Sequence, residues 1–225
     1  MFDSGMRWDW ASCRRSSPTL IPFLFSTALP VALEVPNQRP VFLREYAVGT
    51  YSATSYFWAR LPLELTLAFA QSLITLIIVY WLIEFRGNFA FYLLSWWALN
   101  VAAASFALIL GCSVEDVKAV TEFLPPIFVP QMLFAGFFIR IEDIPIYLRW
   151  AQWLCSLKYT LNLVYLIEFT DECTDDEREA CIDLREVNDV ERDLVWLYVL
   201  VLVLLIVVFR IAALQVLVWR SKTVY

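Results

Sequence analysis

Hydrophobic positions gather into long runs that polar clusters separate. Leu65 to Ile83 holds no charge and is bounded by Glu64 and Glu84. At roughly 19 residues it is long enough to cross a bilayer. Arg86, Gly87 and Asn88 make a short turn before the run from Phe89 to Gly111, whose Ala102 to Ser105 stretch is small enough for close helix packing. Ser113 to Lys118 is a charged loop. Phe123 to Ile139 is apolar again but is interrupted by Pro125, Pro126 and Pro130. Leu194 to Trp219 is the last run and ends at Arg220 and Lys222. Before all of these, Pro18 to Val35 predicts all or part of a membrane helix; Pro22 and Pro30 break the unbroken apolar core that a secretory signal needs. None of the runs alternates, which argues against a β-barrel.

Arg39 to Glu64 fits neither class. It mixes Arg39, Arg44, Glu45 and Arg60 with Tyr46, Tyr51, Tyr56, Phe57 and Trp58. Charges and amphipathic rings together belong at the water–lipid boundary. Phe42, Tyr46 and Gly49 fall at helical spacing with Arg44 and Glu45 turned away, which predicts a short interfacial helix at about 39–49. Ile144 to Phe169 is aromatic and amphipathic. The fold class expected is therefore all-α. It is a polytopic membrane bundle with spans at about 18–35, 62–84, 89–111, 119–139 and 194–219, and an outer segment at 140–193. Residues 1–17 are expected to stand apart, disordered or left over from a longer gene.

Composition narrows the function. Sixty per cent hydrophobic residues exceed what a soluble domain carries. The chain has no histidine, which removes His bases, His proton relays and His metal sites. An intramembrane enzyme would want paired acids, a Ser/His set or metal ligands within the spans, and the spans hold almost no titratable groups. Neither catalytic nor metal-binding residues, nor a nucleic-acid partner, are expected.

The net charge of −6 is unevenly placed, because Glu168 to Asp193 holds twelve acids against three bases. Basic residues near the span ends favour a cytoplasmic C-terminus, with Arg39 to Arg60 inside and the acidic segment outside. An outside segment permits a disulfide, expected between Cys173 and Cys181. Cys112 and Cys155 lie in or near the membrane as plain apolar fillers. Arg210 is an isolated charge about nine residues from the cytoplasmic end, within snorkelling reach, and a structural role is expected for it.

QRPVFLREYAVGTYSATSYFWARLPLEL resembles the coupling helix and third membrane helix of G-type ATP-binding-cassette (ABC) half-transporters. LGCSVEDVK resembles the loop between their fourth and fifth helices, and LFAGFFIRIEDIPIYLRWAQWLCSLKY their fifth helix and re-entrant outer segment. FRIAALQVLVWRSK resembles the close of their sixth helix. The resemblance runs from about Pro30 to Lys222. It implies the substrate-translocating membrane domain of an ATP-driven exporter, for lipids, sterols or amphipathic organic compounds. It implies two partners besides the lipid bilayer: a nucleotide-binding domain that holds ATP and magnesium, and a second membrane half, identical or not. No G-x-x-x-x-G-K-[ST] occurs in these residues, so nothing here cradles phosphate. The alternative is a degenerate or truncated fragment that acts as a non-transporting membrane subunit.

Site residues follow from the same resemblance. Arg44 and Glu45 would dock on the nucleotide-binding domain. Phe137 and Phe138, after Gly136, stand where the family closes the substrate cavity with paired bulky apolar residues; two rings there would form a dry constriction. Pro125, Pro126 and Pro130 remove backbone donors, which places their helix against protein or a wet cavity and makes Pro130 and Gln131 candidates for the substrate path. The family usually carries Glu where Gln38 stands, so a charge pair using that position would be missing.

Overall fold

The computed structural model describes residues 4–48, 52–83, 88–114, 116–134, 153–168 and 195–223. They form six helices: α1 (Ser4–Ala47), α2 (Ala53–Ile83), α3 (Phe89–Ser113), α4 (Val117–Phe134), α5 (Ser156–Glu168) and α6 (Val195–Thr223). The all-α membrane bundle expected from the sequence is what is found. Among the described residues, Thr54–Leu82, Phe89–Ser113 and Val195–Arg220 are long and apolar enough to cross a membrane. They coincide with three of the five expected spans.

The described parts of the other two, 18–35 and 119–134, lie on α1 and α4, where prolines and charges dilute the apolar character. Residues 18–35, expected as a span, and residues 39–47 of the interfacial helix expected at 39–49 lie on one continuous helix, α1. Residues 4–17 are helical as well. Phe137, Phe138, Cys173, Cys181 and most of 140–193 lie outside the described residues.

α3 is the centre of the bundle and packs against each of the other five helices. It is apolar all round, which suits a helix with neighbours on every side. Its start is set by Asn88, whose side chain accepts from the Ala90 N–H. Ala102, Ala103, Ala104 and Ser105 are all buried, as the small-residue run predicts. Trp96, Leu99, Ala103 and Ala107 pack with Leu20, Phe23, Leu24, Ala28 and Ala32 of α1 into the largest apolar core.

α1 and α3 approach closely at Gly111. A Cβ built there would stand 2.6 Å from the Ala32 carbonyl oxygen. Pro36 sits four residues after Ala32 and supplies no N–H to that carbonyl. Glycine on α3 lets the freed oxygen face backbone instead of a side chain.

α2 and α6 turn long apolar faces outward. Leu63, Leu67, Ile74 and Ile78 are exposed on one, and Leu200, Val203, Leu204, Val207 and Ile211 on the other. Each face is closed at both ends by an exposed tryptophan: Trp58 and Trp81 on α2, Trp196 and Trp219 on α6. In both helices the two rings stand 23 residues apart, about 34 Å along a helix. That matches a hydrocarbon core of about 30 Å with indoles in the boundary layers. Faces of this kind suit lipid, and boundary rings at both ends set the depth of what lies between them.

Candidate functional site

A charged cluster lies between the Trp58 and Trp219 boundary and the middle of the bundle. Glu64 is six residues beyond Trp58, and Arg210 is nine residues before Trp219, so their backbones sit about 9 and 14 Å in from that boundary. Both residues are over 90% buried. Charges at such depth survive only when paired and hydrogen-bonded.

The pairing is complete around Glu64. Its Oε1 accepts from Arg60 Nε at 2.6 Å, one helical turn earlier on α2. Its Oε2 accepts from Arg210 Nη1 at 2.5 Å, across from α6. Arg210 Nε also donates to Ser105 Oγ of α3 at 2.9 Å. Arg210 therefore does not snorkel. It turns inward and joins three helices.

Arg60 carries the cluster on to α1. It is ion-paired with Glu34, and its Nη1 donates to Gln38 Oε1 at 3.1 Å. The same Gln38 oxygen accepts from Tyr56 OH at 2.7 Å, while Gln38 Nε2 donates to Glu34 Oε1 at 2.8 Å. The charge pair expected to be missing at Gln38 is thus supplied one turn earlier by Glu34. Gln38 serves as an amide bridge between Glu34, Tyr56 and Arg60. Four formal charges, two of each sign, tie α1, α2 and α6 together with Ser105 as the α3 member.

The sequence signals for this cluster are separate and unpaired. Arg210 stands out as a lone base in an apolar span, and Glu64 as the acid at the head of another. Their opposite signs at similar depth are the one clue that they meet. Glu34 gives no signal of its own.

Arg44 and Glu45 lie near the end of α1 with both side chains exposed. They continue the helix that carries Glu34 and Gln38. Phe42 packs its ring on Tyr56 with centroids 4.9 Å apart, which holds this end of α1 against the start of α2. Ser52 caps that start by accepting from the Ser55 N–H. At the far end of the chain, Arg220 Nη2 donates to the Ser113 carbonyl at 2.5 Å, where a cation meets the negative end of α3.

Pro130 and Gln131 lie on α4. Pro125, Pro126 and Pro130 are exposed in the chain by itself. Each lacks the N–H that the carbonyl four residues earlier would use, which frees Thr121, Glu122 and Pro126 oxygens. Gln131 Oε1 is buried and meets no donor among the described residues. The Gln131 carbonyl accepts from the Cys155 thiol at 2.9 Å. The filler expected at Cys155 also acts as a small latch between α4 and the start of α5.

Comparison with known proteins settles the class. Residues 19–169, more than half of the chain, match the model of the family described as ABC-2 type transporter. The chain belongs to that family and is a membrane domain of the ABC-2 transporter type. Its relatives place it more narrowly, with the G family of ABC transporters. It is 26% identical over 204 residues to ABC transporter G family member 1 of Dictyostelium discoideum, covering 83% of this chain and 26% of that protein. It is 30% identical over 149 residues to the ABC transporter ATP-binding protein/permease wht-1 of Caenorhabditis elegans, covering 64% of this chain and 22% of that one. Protein white of Drosophila melanogaster is 26% identical over 138 residues, 60% of this chain and 20% of the relative. The chain spans about a quarter of the length of these relatives.

Proposed function

We propose that this chain forms the substrate-translocating membrane part of an ATP-driven exporter, and that the charged cluster is its coupling junction. The observation that carries the reading is Glu64 bridging Arg60 and Arg210. One carboxylate joins the helix that follows the exposed Arg44 and Glu45 end of α1 to the last helix of the bundle. A nucleotide-binding domain docked at Arg44 and Glu45 would move α1, and the ion pairs would hand that motion to α2 and α6. The name of the nematode relative joins an ATP-binding protein to a permease, which supports such a partner. ATP and magnesium belong to the nucleotide-binding domain.

Substrate passes along the α4 side. Freed carbonyls are tolerated at membrane depth only against protein or a water-filled cavity. The exposed prolines therefore call for a second membrane half, with a path between the two. Pro130 and Gln131 line it, and Phe137 and Phe138 close it on the outer side. A path that is uncharged and aromatic suits lipids, sterols or amphipathic organic compounds. The C-terminus is cytoplasmic, which puts Arg44 and Glu45 on the ATP side and the Cys173–Cys181 bridge outside.

The test is ATP-dependent flux of a fluorescent lipid in vesicles that hold the chain with its nucleotide-binding partner. Glu64→Gln keeps the side-chain shape and weakens both ion pairs. It should lower transport per ATP severalfold while hydrolysis continues. Absence of ATP-dependent flux in the parent would overturn the exporter reading.

A further inference from the structure

Arg210 and Phe209 are neighbours on α6, and they grip neighbours on α3. Arg210 donates to Ser105, and the Phe209 ring meets Phe106 at 5.3 Å between centroids. Phe106 is shared. Its ring also stands edge-on to Phe128 of α4, at 5.5 Å and 86°. Phe128 in turn packs on Phe25 of α1 at 5.7 Å. Phe128 is fully buried and sits between Pro126 and Pro130.

We infer that Phe106 is a positioning residue that couples the Glu64–Arg210 ion pair to the proline-broken helix α4. The inference deepens the coupling role proposed above and rests on it for its purpose, though not for its geometry. Two adjacent contacts fix the register of α6 on α3 at residues 209 and 210. A shift or rotation of α6 there must move the Phe106 ring or separate it from Phe209. Close-packed rings give way by discrete rearrangement, not by smooth deformation. Phe128 is the next ring along, and it lies where α4 has lost backbone hydrogen bonds and yields most easily. Ser105 reports the charge and Phe106 converts it into a steric push on α4.

The test uses the full chain in detergent, with Cys13, Cys173 and Cys181 replaced by Ser and a reporter Val129→Cys on the exposed side of α4. The rate of maleimide labelling is measured with and without Glu64→Gln. With Phe106 present, Glu64→Gln should change that rate about threefold or more, as expected for sites that share partners. With Phe106→Leu, which keeps apolar bulk and loses the ring, the two rates should agree. Phe106→Tyr should restore the response. A purely structural role would lower stability in the Leu variant without cancelling the response. Equal responses in the Phe and Leu backgrounds would overturn the inference, and so would no response in either. If Phe106→Leu does not fold, Phe128→Leu interrupts the same contact from α4, and a surviving response there overturns it equally. Transport per ATP is measured apart. A labelling response that depends on Phe106, beside unchanged transport in Glu64→Gln, would refute the coupling role and leave the ring contact standing.

Discussion

Two polar stations lie along α2, and they are built differently. At Arg60 and Glu64, charged side chains meet Glu34 and Gln38 of α1 and Arg210 of α6. One to two turns further on, everything is neutral. Asn100 of α3 donates to the Ala68 carbonyl at 3.0 Å and to Ser72 Oγ at 3.2 Å, and Ser72 itself donates back to Ala68. Trp97 Nε1 adds a bond to the Leu65 carbonyl. The neutral station pins α2 to α3 with side chains that have few other partners. The charged station gives each charged group at least two partners, spread over four helices. The seam fixes a helix pair, whereas the junction ties α1, α2, α3 and α6 together.

Removing one member of the junction breaks that contrast most sharply. Glu64→Ala leaves Arg210 and Arg60 buried beside each other with only Glu34 to share. Breaking a buried pair in this way costs about 3–5 kcal/mol. Thermal unfolding in detergent should show a larger loss than for Gly111→Ala, Asn100→Ala or Glu45→Ala. Replacing both partners with apolar residues, Glu64→Leu with Arg210→Met, should recover most of that loss, because no orphan charge remains on α6. A double variant as unstable as Glu64→Ala would mean that the pair itself holds the bundle together and is not a switching contact.

Gly111→Ala comes next. The added methyl meets the Ala32 carbonyl at 2.6 Å, a backbone atom that cannot swing aside. Overpacking of this kind costs about 1–3 kcal/mol. It acts where α1 and α3 cross, beside the junction but not within it. Stability should fall while the response of α4 to Glu64→Gln persists. Loss of that response would show that the crossing, and not the ion pair, sets the state of α4.

Asn100→Ala tests the neutral station. Interhelical side-chain hydrogen bonds in membranes contribute on average about 0.6 kcal/mol, so the melting temperature should drop slightly. Transport per ATP should not change. A fall in transport without a fall in stability would give the seam a share in coupling and erase the distinction between the two stations.

How much of this is legible in the sequence depends on distance along the chain. The three longest apolar runs announce their helices, since length and absence of charge are local properties. The small run at Ala102 to Ser105 announces the crowded centre for the same reason. The meeting of Glu64 with Arg210 is not legible, because the partners are 146 positions apart and neither dictates the other. Arg210 reads as a snorkelling side chain because a helix by itself offers only that escape. Gln38 reads as a lost charge because Glu34, one turn away, belongs to an apolar run and looks like its end. The break expected between Val35 and Arg39 is absent because Pro36 and Pro40 lie in α1 without ending it. The Pro36 ring leaves Ala32 an open carbonyl, and Gly111 is there to meet it.

The smallest effect on stability belongs to Glu45→Ala. The side chain is exposed near the end of α1, where a substitution away from buried contacts changes stability by less than about 0.5 kcal/mol. Melting should match the parent, and the charged cluster should be undisturbed, since Glu34 and Gln38 lie two to three turns back on the same helix. If this end of α1 docks on the nucleotide-binding domain, the loss should appear only in the assembled transporter. ATP hydrolysis would continue and flux per ATP would fall, because the push no longer reaches α1. Glu64→Gln should give the same defect from the other end of the path, and the double variant should be no worse than either single one. Two breaks in one linkage cost no more than one, whereas independent defects multiply. The measurement is flux per ATP for the parent, both single variants and the double in reconstituted vesicles. Unchanged flux in Glu45→Ala would remove α1 from the linkage, and a multiplicative double variant would place Glu45 and Glu64 in separate steps.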